Sequence, residues 1–339
     1  MNRRTTVLSA GTVLLLVFGV LGALLPVPYV AQVPGPTYNT LGDIDGTPII
    51  TVSGREPNET SGNLNLTTVG IPQGRLTLVG AVQGWFDSEV TVVPREQVYP
   101  SDRSVEETQA ANRQAFLTSE QAARGAAFAE LGYPEKVVVQ DLAEESAAEG
   151  ELQAGDALES VGGTPTPDQT ALTEVLAGIP PGSTVEVGYT REGTPGTATV
   201  TTAAAEGGGS ALGVLILQTP YAPFDVDIEV DDVGGPSAGL MLALGVIDMV
   251  GDTDLTAGAV VAGTGTIDGA GAVGPIGGIP LKLVSAREIG AELFLVPADN
   301  CAEAVANAQP GLPLAEVATL DDALEALADL RAGRTPELC

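Results

Sequence analysis

The sequence predicts an α+β protein that is anchored in a membrane by one N-terminal transmembrane helix. Three observations predict this fold class. An apolar run at Val7–Leu25 is long enough to cross a bilayer. Short segments that alternate apolar and polar residues, such as Leu64–Thr68, are typical of half-buried strands. A long Ala-rich segment at Ser104–Leu131 has the apolar face of a helix. The length of 339 residues fits about two soluble domains.

The N-terminal apolar run is the first element. No charged residue occurs in Thr5–Gly42, and the apolar centre, Val7–Leu25, has 19 residues. The apolar region of a signal peptide has about 7–15 residues, so the length favours a retained anchor over a cleaved leader. Arg3 and Arg4 keep the N-terminus in the cytoplasm and place the rest of the protein outside. We assign residues 1–36 to the cytoplasmic N-terminus, the anchor and a linker.

The segment after the anchor, residues 37–132, combines strands with one long helix. The stretch Pro34–Pro36 predicts the linker that leads into it. Alternating apolar residues predict strands within Ile49–Val93, one of them at Leu76–Val82. The helix at Ser104–Leu131 starts with a serine followed three residues later by a glutamate, which is the pattern of a capping box.

A second unit occupies residues 133–205. Val137–Val139 predicts a strand, Thr170–Ala177 a short helix, and Thr184–Thr190 another strand. A run of three glycines then predicts a flexible exit from this unit. The last unit occupies residues 206–331.

The composition excludes several kinds of chemistry. The protein has no histidine, which excludes Ser-His-Asp catalysis, Cys-His catalysis and HExxH zinc sites. Lys and Arg total 14 against 44 Asp and Glu, and the net charge of −30 disfavours binding to nucleic acid. Only Cys301 and Cys339 carry thiols, so we expect no metal site. An outside location permits a disulfide between them, and two free thiols are an equally good interpretation.

A glycine-rich loop precedes an apolar helix in the last unit. The loop has the sequence GPSAG at residues 235–239, and the helix is predicted at Leu240–Val250. Ser237 therefore lies at a helix N-terminus, where free N–H groups and the helix dipole stabilise an oxyanion. A serine at this position is also a common helix cap, and this segment alone leaves both interpretations open.

Lys282 is one of only two lysines, beside twelve arginines. It follows the Gly277–Gly278 turn and precedes a predicted helix at Leu283–Ile289, with apolar neighbours on both sides. An apolar setting lowers the pKa of a lysine, and the neutral amine can then serve as the base for a serine nucleophile. The alternative is a surface lysine whose stem packs on apolar residues.

Together these segments resemble the proteolytic domain of the Lon family. The serine of GPSAG is followed 45 residues later by the lysine of PIGGIPLK, and the likeness continues through the next helix and strand. The resemblance implies a nucleophile at Ser237, a general base at Lys282 and a supporting threonine at Thr266. Residues 62–80 and 119–129 resemble the first half of the same domain.

The middle unit resembles a PDZ domain. The resemblance is carried by Ala154–Leu158 with the glycine pair that follows, by the helix at Thr170–Ala177 and by the strand at Thr184–Thr190. It implies that an extended peptide, usually the C-terminus of a protein, adds a strand beside the helix. The nearest candidate for the carboxylate-binding loop is Leu131–Tyr133. A PDZ unit that serves only as a scaffold or gate is the alternative.

The whole sequence thus resembles the membrane-anchored, PDZ-containing Lon-like serine proteases of Gram-positive bacteria, with the PDZ domain inserted into the Lon-type domain.

The sequence has no GxxxxGK[ST] motif, so the expected activity is that of an ATP-independent, cofactor-free endopeptidase acting on unfolded or extended segments outside the cell. The expected partners are polypeptides, bound through C-terminal tails by the PDZ unit, and the membrane. The resemblance also implies a ring-shaped homo-oligomer. The alternative is a membrane-tethered PDZ adaptor with an inactive Lon-like scaffold.

Overall fold

The computed structural model of the protein describes residues 3–72, 74–143, 146–205, 207–230 and 233–339. It confirms the α+β class. The helices are α1 (Arg3–Leu24), α2 (Leu78–Gly84), α3 (Arg95–Val98), α4 (Val105–Glu130), α5 (Gln169–Ala177), α6 (Gly239–Val250), α7 (Ile279–Glu288), α8 (Cys301–Ala306) and α9 (Leu320–Arg331). The strands are β1 (Tyr29–Asn39), β2 (Asp43–Ile44), β3 (Thr47–Pro48), β4 (Ile50–Ser53), β5 (Asn63–Gly70), β6 (Thr91–Pro94), β7 (Glu135–Leu142), β8 (Ala157–Val161), β9 (Thr164–Pro165), β10 (Thr184–Arg191), β11 (Thr194–Thr201), β12 (Ala203–Ala204), β13 (Ser210–Ala211), β14 (Val214–Pro220), β15 (Asp225–Ile228), β16 (Val260–Gly263), β17 (Thr266–Ile267), β18 (Val273–Gly274), β19 (Leu293–Pro297) and β20 (Leu314–Val317).

The first sheet has the strand order β20-β19-β16-β5-β1-β6. Strands β20, β19, β16 and β5 are parallel, and β1 and β6 continue the sheet through antiparallel pairs. The parallel part is buried on both faces, as such sheets generally are. Val261 and Leu295 face the core cluster that contains α6, while Ala262 and Phe294 face the cluster that contains α7. The sheet therefore lies between α6, which follows Ser237, and α7, which contains Lys282.

Two helices of this domain follow directly from the sequence. The prediction of a long helix is confirmed by α4, whose Ser104 and Glu107 form the expected capping box. The predicted apolar helix is α6, which is buried almost throughout and packs against α4 and the first sheet. A helix that is apolar on all sides belongs in a core because no face of it is suited to water.

The predicted linker at Pro34–Pro36 is wrong, because these residues lie inside strand β1. β1 pairs with both β5 and β6, and its pairing with β5 is irregular between Pro34 and Thr37. Gly35 approaches Thr68 so closely that a Cβ there would lie 2.3 Å from its hydroxyl. Proline cannot donate to a ladder and is tolerated at such irregularities, so a proline-rich sequence can still belong to a sheet.

The predicted strand at Leu76–Val82 is also wrong, because most of this segment forms helix α2. The Thr77 hydroxyl accepts a hydrogen bond from the Gly80 N–H at 3.2 Å and caps the helix. The inner face of α2 is made of small residues, Ala81 and Gly84. The apolar side chains that looked like a strand face lie outward from this short helix instead.

The second sheet has the order β11-β10-β8-β7-β14, with β9 paired to β8, and all of its pairs are antiparallel. The predicted helix and strands of this unit are confirmed by α5, β7 and β10. The sheet continues beyond residue 205 through β14, which pairs with β7 from Val214↔Leu142 to Pro220↔Glu135. The Tyr221 N–H donates to the Pro134 carbonyl at 3.0 Å, so the backbone enters and leaves this unit at one point.

Helix α1 is the one described helix that is long and apolar enough to cross a membrane, over Arg3–Gly22 with a mean hydropathy of 2.0. None of its apolar span is buried within the protein. Its large apolar side chains are exposed along most of its length, and α2 contacts it; by length and composition such a helix could span a membrane.

Cys301 and Cys339 are joined by a disulfide, which decides between the two interpretations of the cysteines. The bond ties the C-terminal end of the protein to α8. It closes a loop with a sequence separation of 38 residues.

We predict that replacing Cys339 with Ser lowers the free energy of unfolding by roughly 3–4 kcal/mol, because a loop of this length becomes free in the unfolded state. The measurement is urea unfolding of both single variants, Cys301→Ser and Cys339→Ser, beside the native protein. Equal stability of all three proteins under oxidising conditions would contradict the prediction.

Candidate active site

Ser237 lies in the loop that leads into α6, and its backbone is held by several hydrogen bonds. Its carbonyl accepts from the Gly265 N–H and from the Thr264 hydroxyl, each at 3.0 Å. From α4, the Ser119 hydroxyl donates to the Pro236 carbonyl at 2.9 Å. Helix α6 begins two residues later behind a different N-cap, so the capping interpretation of Ser237 is wrong.

Lys282 lies in the first turn of α7, a helix that begins four residues earlier than the sequence predicted. α7 begins at Ile279 because Gly278 adopts a left-handed conformation (φ +79°) and Pro280 suits a first helical turn. The lysine side chain is buried, with only 2% of the residue exposed. The alternative of a surface lysine is therefore wrong.

Among the residues that the structure describes, the side-chain nitrogen of Lys282 has three hydrogen-bond partners. Nζ lies 2.6 Å from the Thr67 carbonyl, 3.0 Å from Thr264 Oγ1 and 3.1 Å from Ser237 Oγ. The Thr67 carbonyl can only accept, and the Thr264 hydroxyl already donates its hydrogen to the Ser237 carbonyl. Both groups therefore use N–H donors of the lysine.

This arrangement suits a neutral amine. A neutral amine has two N–H donors and one lone pair, and Thr67 and Thr264 occupy the two donors. The lone pair is then directed to the Ser237 hydroxyl, which can donate to it. Burial lowers the pKa of Lys282 to about 7, because an apolar interior disfavours the charged form. A large fraction of the lysine is thus neutral near neutral pH.

The predicted supporting threonine is not the one that contacts Lys282. Thr266 lies in the β17–β18 hairpin, where it pairs with Gly274. Its hydroxyl lies against Gly274, since a Cβ on that glycine would be 2.4 Å from Oγ1. The structure instead brings Thr264 to the lysine, because Thr264 directly follows the end of β16. The position after a buried strand was the signal that could have identified it.

The Thr67 carbonyl is a second group that the sequence did not reveal. Thr67 lies on β5, one residue beyond the last pair with β16, which is Leu66↔Gly263. Its hydroxyl donates to the Gly263 carbonyl at 3.1 Å. This bond fixes the end of β16 against β5, and the backbone carbonyl of Thr67 is left to face the lysine.

A cleft of about 380 Å³ opens beside Ser237 and Lys282. Part of its wall is the end of β5, Thr67–Gly70. β16 ends at Gly263, so in the described part of the sheet this stretch of β5 pairs only with β1. The opposite edge of β5 is therefore open toward the cleft.

A second groove, of about 190 Å³, lies between α5 and β14 in the second unit. Leu172 and Leu176 of α5 line one side, and Val214 and Ile216 of β14 line the other. Ser210, Ala211 and Leu212, in and just after β13, also line the groove.

The predicted carboxylate loop at Leu131–Tyr133 lies elsewhere. It ends α4, and its tyrosine packs edge-on against Phe128 and Phe224. The segment that does reach the α5–β14 groove, Ser210–Val214, contains β13 and the first residue of β14, and it comes at the end of the unit because β14 is its last strand.

Two family models match this protein. A model of the PDZ domain matches residues 104–202, and a model of the Lon protease (S16) C-terminal proteolytic domain matches residues 221–328. The Lon protease of Azospirillum brasilense is 37% identical over 94 residues, which are 27% of this chain and 11% of that protein. Lon protease 2 of Bacillus subtilis (strain 168) is 32% identical over 108 residues, which are 30% of this chain and 19% of that protein. The alignment thus spans only a small part of each relative.

Among solved structures, the PDZ domain of an SdrC-like protein from Listeria innocua is 23% identical and covers 24% of this chain and 92% of that one, with a TM-score of 0.23. The family models show that the protein has a PDZ domain and a Lon-type proteolytic domain, as the resemblance predicted, and they support a serine peptidase.

We predict that Thr264→Val slows labelling of Ser237 by a fluorophosphonate about tenfold, while Thr266→Val changes it little. The first variant removes the acceptor of one lysine N–H and the donor to the Ser237 carbonyl, and an unsatisfied buried group costs about 1–3 kcal/mol. The measurement is the labelling rate of the two variants at equal protein concentration, with thermal unfolding as the check on folding. A larger effect at Thr266 than at Thr264 would contradict the assignment.

Proposed function

We propose that this protein is an ATP-independent serine endopeptidase that uses a Ser-Lys dyad, with Ser237 as nucleophile and Lys282 as general base. The observation that carries the proposal is the 3.1 Å contact between Ser237 Oγ and a buried lysine nitrogen whose pKa is lowered to about 7. Serine is a weak nucleophile without a base, and the protein has no histidine to provide one.

The proposed reaction follows from this contact. Neutral Lys282 takes the hydroxyl proton of Ser237 as Oγ attacks the scissile carbonyl carbon. The N–H groups at the start of α6 stabilise the oxyanion that forms. The lysine ammonium then protonates the leaving amine as the peptide bond breaks, which leaves an acyl-enzyme. A water molecule gives a proton to neutral Lys282 as it attacks the acyl carbon. Lys282 then passes this proton to Ser237 Oγ as the ester bond breaks, which releases the carboxylic acid and restores the serine hydroxyl and the neutral lysine.

Extended segments are the proposed substrates. The open edge of β5 at Thr67–Gly70 borders the cleft, and a peptide added there as a strand would pass beside Ser237. Such pairing requires free backbone groups, which a folded protein does not present. The sequence has no GxxxxGK[ST] motif with which to drive unfolding, so we propose substrates that are already unfolded or extended.

The proposed location is the outer side of a cell membrane. α1 has the length and apolar surface of a spanning helix, and Arg3 and Arg4 favour a cytoplasmic N-terminus. The Cys301–Cys339 disulfide supports an oxidising compartment for the rest of the protein.

We further propose that the α5–β14 groove recruits substrate C-terminal tails. A tail would pair with the free edge of β14, place an apolar side chain between α5 and β14, and direct its carboxylate to N–H groups of the loop at Ser210–Val214. This groove would serve equally in a membrane-tethered adaptor, so it is reactivity at Ser237 that distinguishes a protease from an adaptor.

We predict that Ser237→Ala abolishes peptide cleavage and that Lys282→Arg is nearly as damaging, with a loss of roughly a thousandfold or more for each. Arginine keeps the positive charge but does not release its proton, so it cannot serve as a base. The measurement is the hydrolysis of an unstructured fluorogenic peptide by the native protein and both variants, with thermal unfolding to confirm folding. A folded Lys282→Arg protein with near-native activity would disprove the dyad.

We predict that activity rises with pH through about 7. The folded pKa of Lys282 is lowered, so the neutral, active form is lost as the pH falls below that value. Between pH 8 and pH 6 the neutral fraction drops about tenfold, and the fluorophosphonate labelling rate should fall with it. A labelling rate that is independent of pH over this range would contradict a lysine base.

We predict that removing the second unit weakens cleavage of tail-bearing proteins far more than labelling of Ser237. The hydrogen bond between Pro134 and Tyr221 marks the ends to be joined, so residues 135–220 can be replaced by a short Gly-Ser turn. The matched control deletes residues 135–204 only. It keeps β14, the edge of the groove, but removes β7, the strand that pairs with it. Equal loss of cleavage and labelling in the 135–220 variant would mean that the unit supports the fold of the protease domain instead.

A further inference from the structure

Helix α2 buries its small residues and exposes its large apolar ones. The small residues Ala81 and Gly84 are buried, and a Cβ on Gly84 would lie 2.8 Å from Val92 of β6. The large apolar side chains lie outward in and just beyond the helix: Leu78, Val79, Val82, Trp85 and Phe86. The exposed fraction reaches 59% at Trp85 and 89% at Phe86. A soluble helix normally buries such residues, so this outward face requires an apolar partner.

The outward face of α2 is continuous with the end of α1. The Leu78 N–H donates to the Leu25 carbonyl at 3.1 Å, and the Val27 N–H donates to the Leu76 carbonyl at 2.9 Å. Helices α1 and α2 are also in contact. The backbone that leaves the proposed anchor is thus bonded to α2, which fixes α2 at the level where α1 ends.

Aromatic and basic residues surround this junction. Trp85 packs edge-on against Tyr29 with ring centroids 6.3 Å apart, and such amphipathic rings are enriched at membrane–water interfaces. A cavity of about 810 Å³ lies beside the backbone that leaves α1, and Arg75 and Arg95 line it. Neither arginine makes an ion pair in the part of the protein that the structure describes. Two such arginines in a protein of net charge −30 are suited to lipid phosphates.

We infer that α2, with Trp85 and Phe86, lies in the outer interface of the bilayer that α1 crosses and holds the protease domain against the membrane. The inference rests on the proposed membrane anchoring. An interfacial helix buries its apolar face about 5–10 Å into the boundary between headgroups and acyl chains. Arg75 and Arg95 then contact headgroup phosphates at the mouth of the cavity.

Trp85 is the only tryptophan in the sequence and reports directly on this placement. The experiment uses the full-length protein in phosphatidylcholine vesicles that contain phosphatidylglycerol, with lipids brominated either near the glycerol or near the end of the acyl chain. We expect strong quenching of the Trp85 emission by the shallow bromines, weaker quenching by the deep ones, and little by acrylamide in the water. Emission quenched by acrylamide alone would overturn the inference. Emission shielded from both would indicate a protein contact, such as a second copy, and would overturn it as well.

Matched variants distinguish a specific role of the outward face of α2 from the general effect of removing exposed apolar side chains. Val82→Ser combined with Phe86→Ser should reduce quenching of Trp85 by brominated lipid severalfold. The control pair, Leu117→Ser with Val305→Ser, changes exposed apolar residues on α4 and α8 and should leave quenching unchanged. Native quenching in the first pair would overturn the inference.

The arginines are tested by lipid composition. We expect phosphatidylglycerol to increase the quenching of Trp85 by brominated lipid. In the variant with both Arg75→Gln and Arg95→Gln, this increase should disappear. If this increase persisted, the headgroup contact would be disproved.

Vesicle flotation distinguishes failure of this inference from failure of the proposed function. A protein that does not float with vesicles disproves the anchor and the interfacial helix together. A protein that floats, with Trp85 exposed to water, disproves only the interfacial helix. Labelling of Ser237 in the same samples reports on the dyad independently of both.

Discussion

The structure of the candidate site depends on keeping the side chain of Lys282 away from water. A charged lysine in this interior would need a carboxylate partner, and among the described residues its nitrogen has only a carbonyl and two hydroxyl groups as hydrogen-bond partners. Burial therefore favours the neutral amine, and a neutral amine with two occupied donors directs its lone pair to Ser237. The protein uses arginine for most of its positive charges, and arginine could not take this role because it does not lose its proton.

This requirement explains the arrangement of the sheet and its helices. Ser237 precedes α6 on one face of the first sheet, and Lys282 belongs to α7 on the other face. Their side chains can meet only where the sheet between them ends, beyond Gly263 at the end of β16. The two groups that complete the site come from that same place, since Thr264 follows β16 and Thr67 lies just beyond its pairing with β5. Loss of strand pairing at this point both opens the cleft and brings the two residues together.

The sequence was sufficient to predict an element or a candidate site residue where side-chain chemistry or a local sequence pattern identifies it. Ser237 and Lys282 could be proposed as a pair because GPSAG and an apolar lysine are local features that together resemble the Lon family, and α4 could be predicted because its capping box is local too. The Thr67 carbonyl could not be predicted, because every residue has a carbonyl and only tertiary structure selects one. Thr264 and Thr266 flank the same glycine, and only the end of β16 distinguishes them. The segment Ser210–Val214 beside the groove was missed because it lies near the C-terminal end of the unit, at β13 and the start of β14, whereas Leu131–Tyr133 precedes the unit.

The two wrong segment predictions, Pro34–Pro36 as a linker and Leu76–Val82 as a strand, have separate causes. Prolines usually mark a break in a sheet, and β1 accommodates them at its irregular pairing with β5. The large apolar residues of α2 lie outward, which local alternation does not reveal. In the structure β1 runs without interruption from Tyr29, next to the proposed anchor, to Pro36 and Tyr38 in the wall of the cleft. The seven residue-to-residue steps from Tyr29 to Pro36 span about 23 Å, so a strand rather than a flexible tether sets the distance between the end of α1 and Ser237. If α1 spans the membrane, β1 sets the distance of the cleft from the bilayer. A strand alone would still leave the protease domain free to rotate about the end of α1. The second bilayer contact that we infer for the outward face of α2 would remove that freedom.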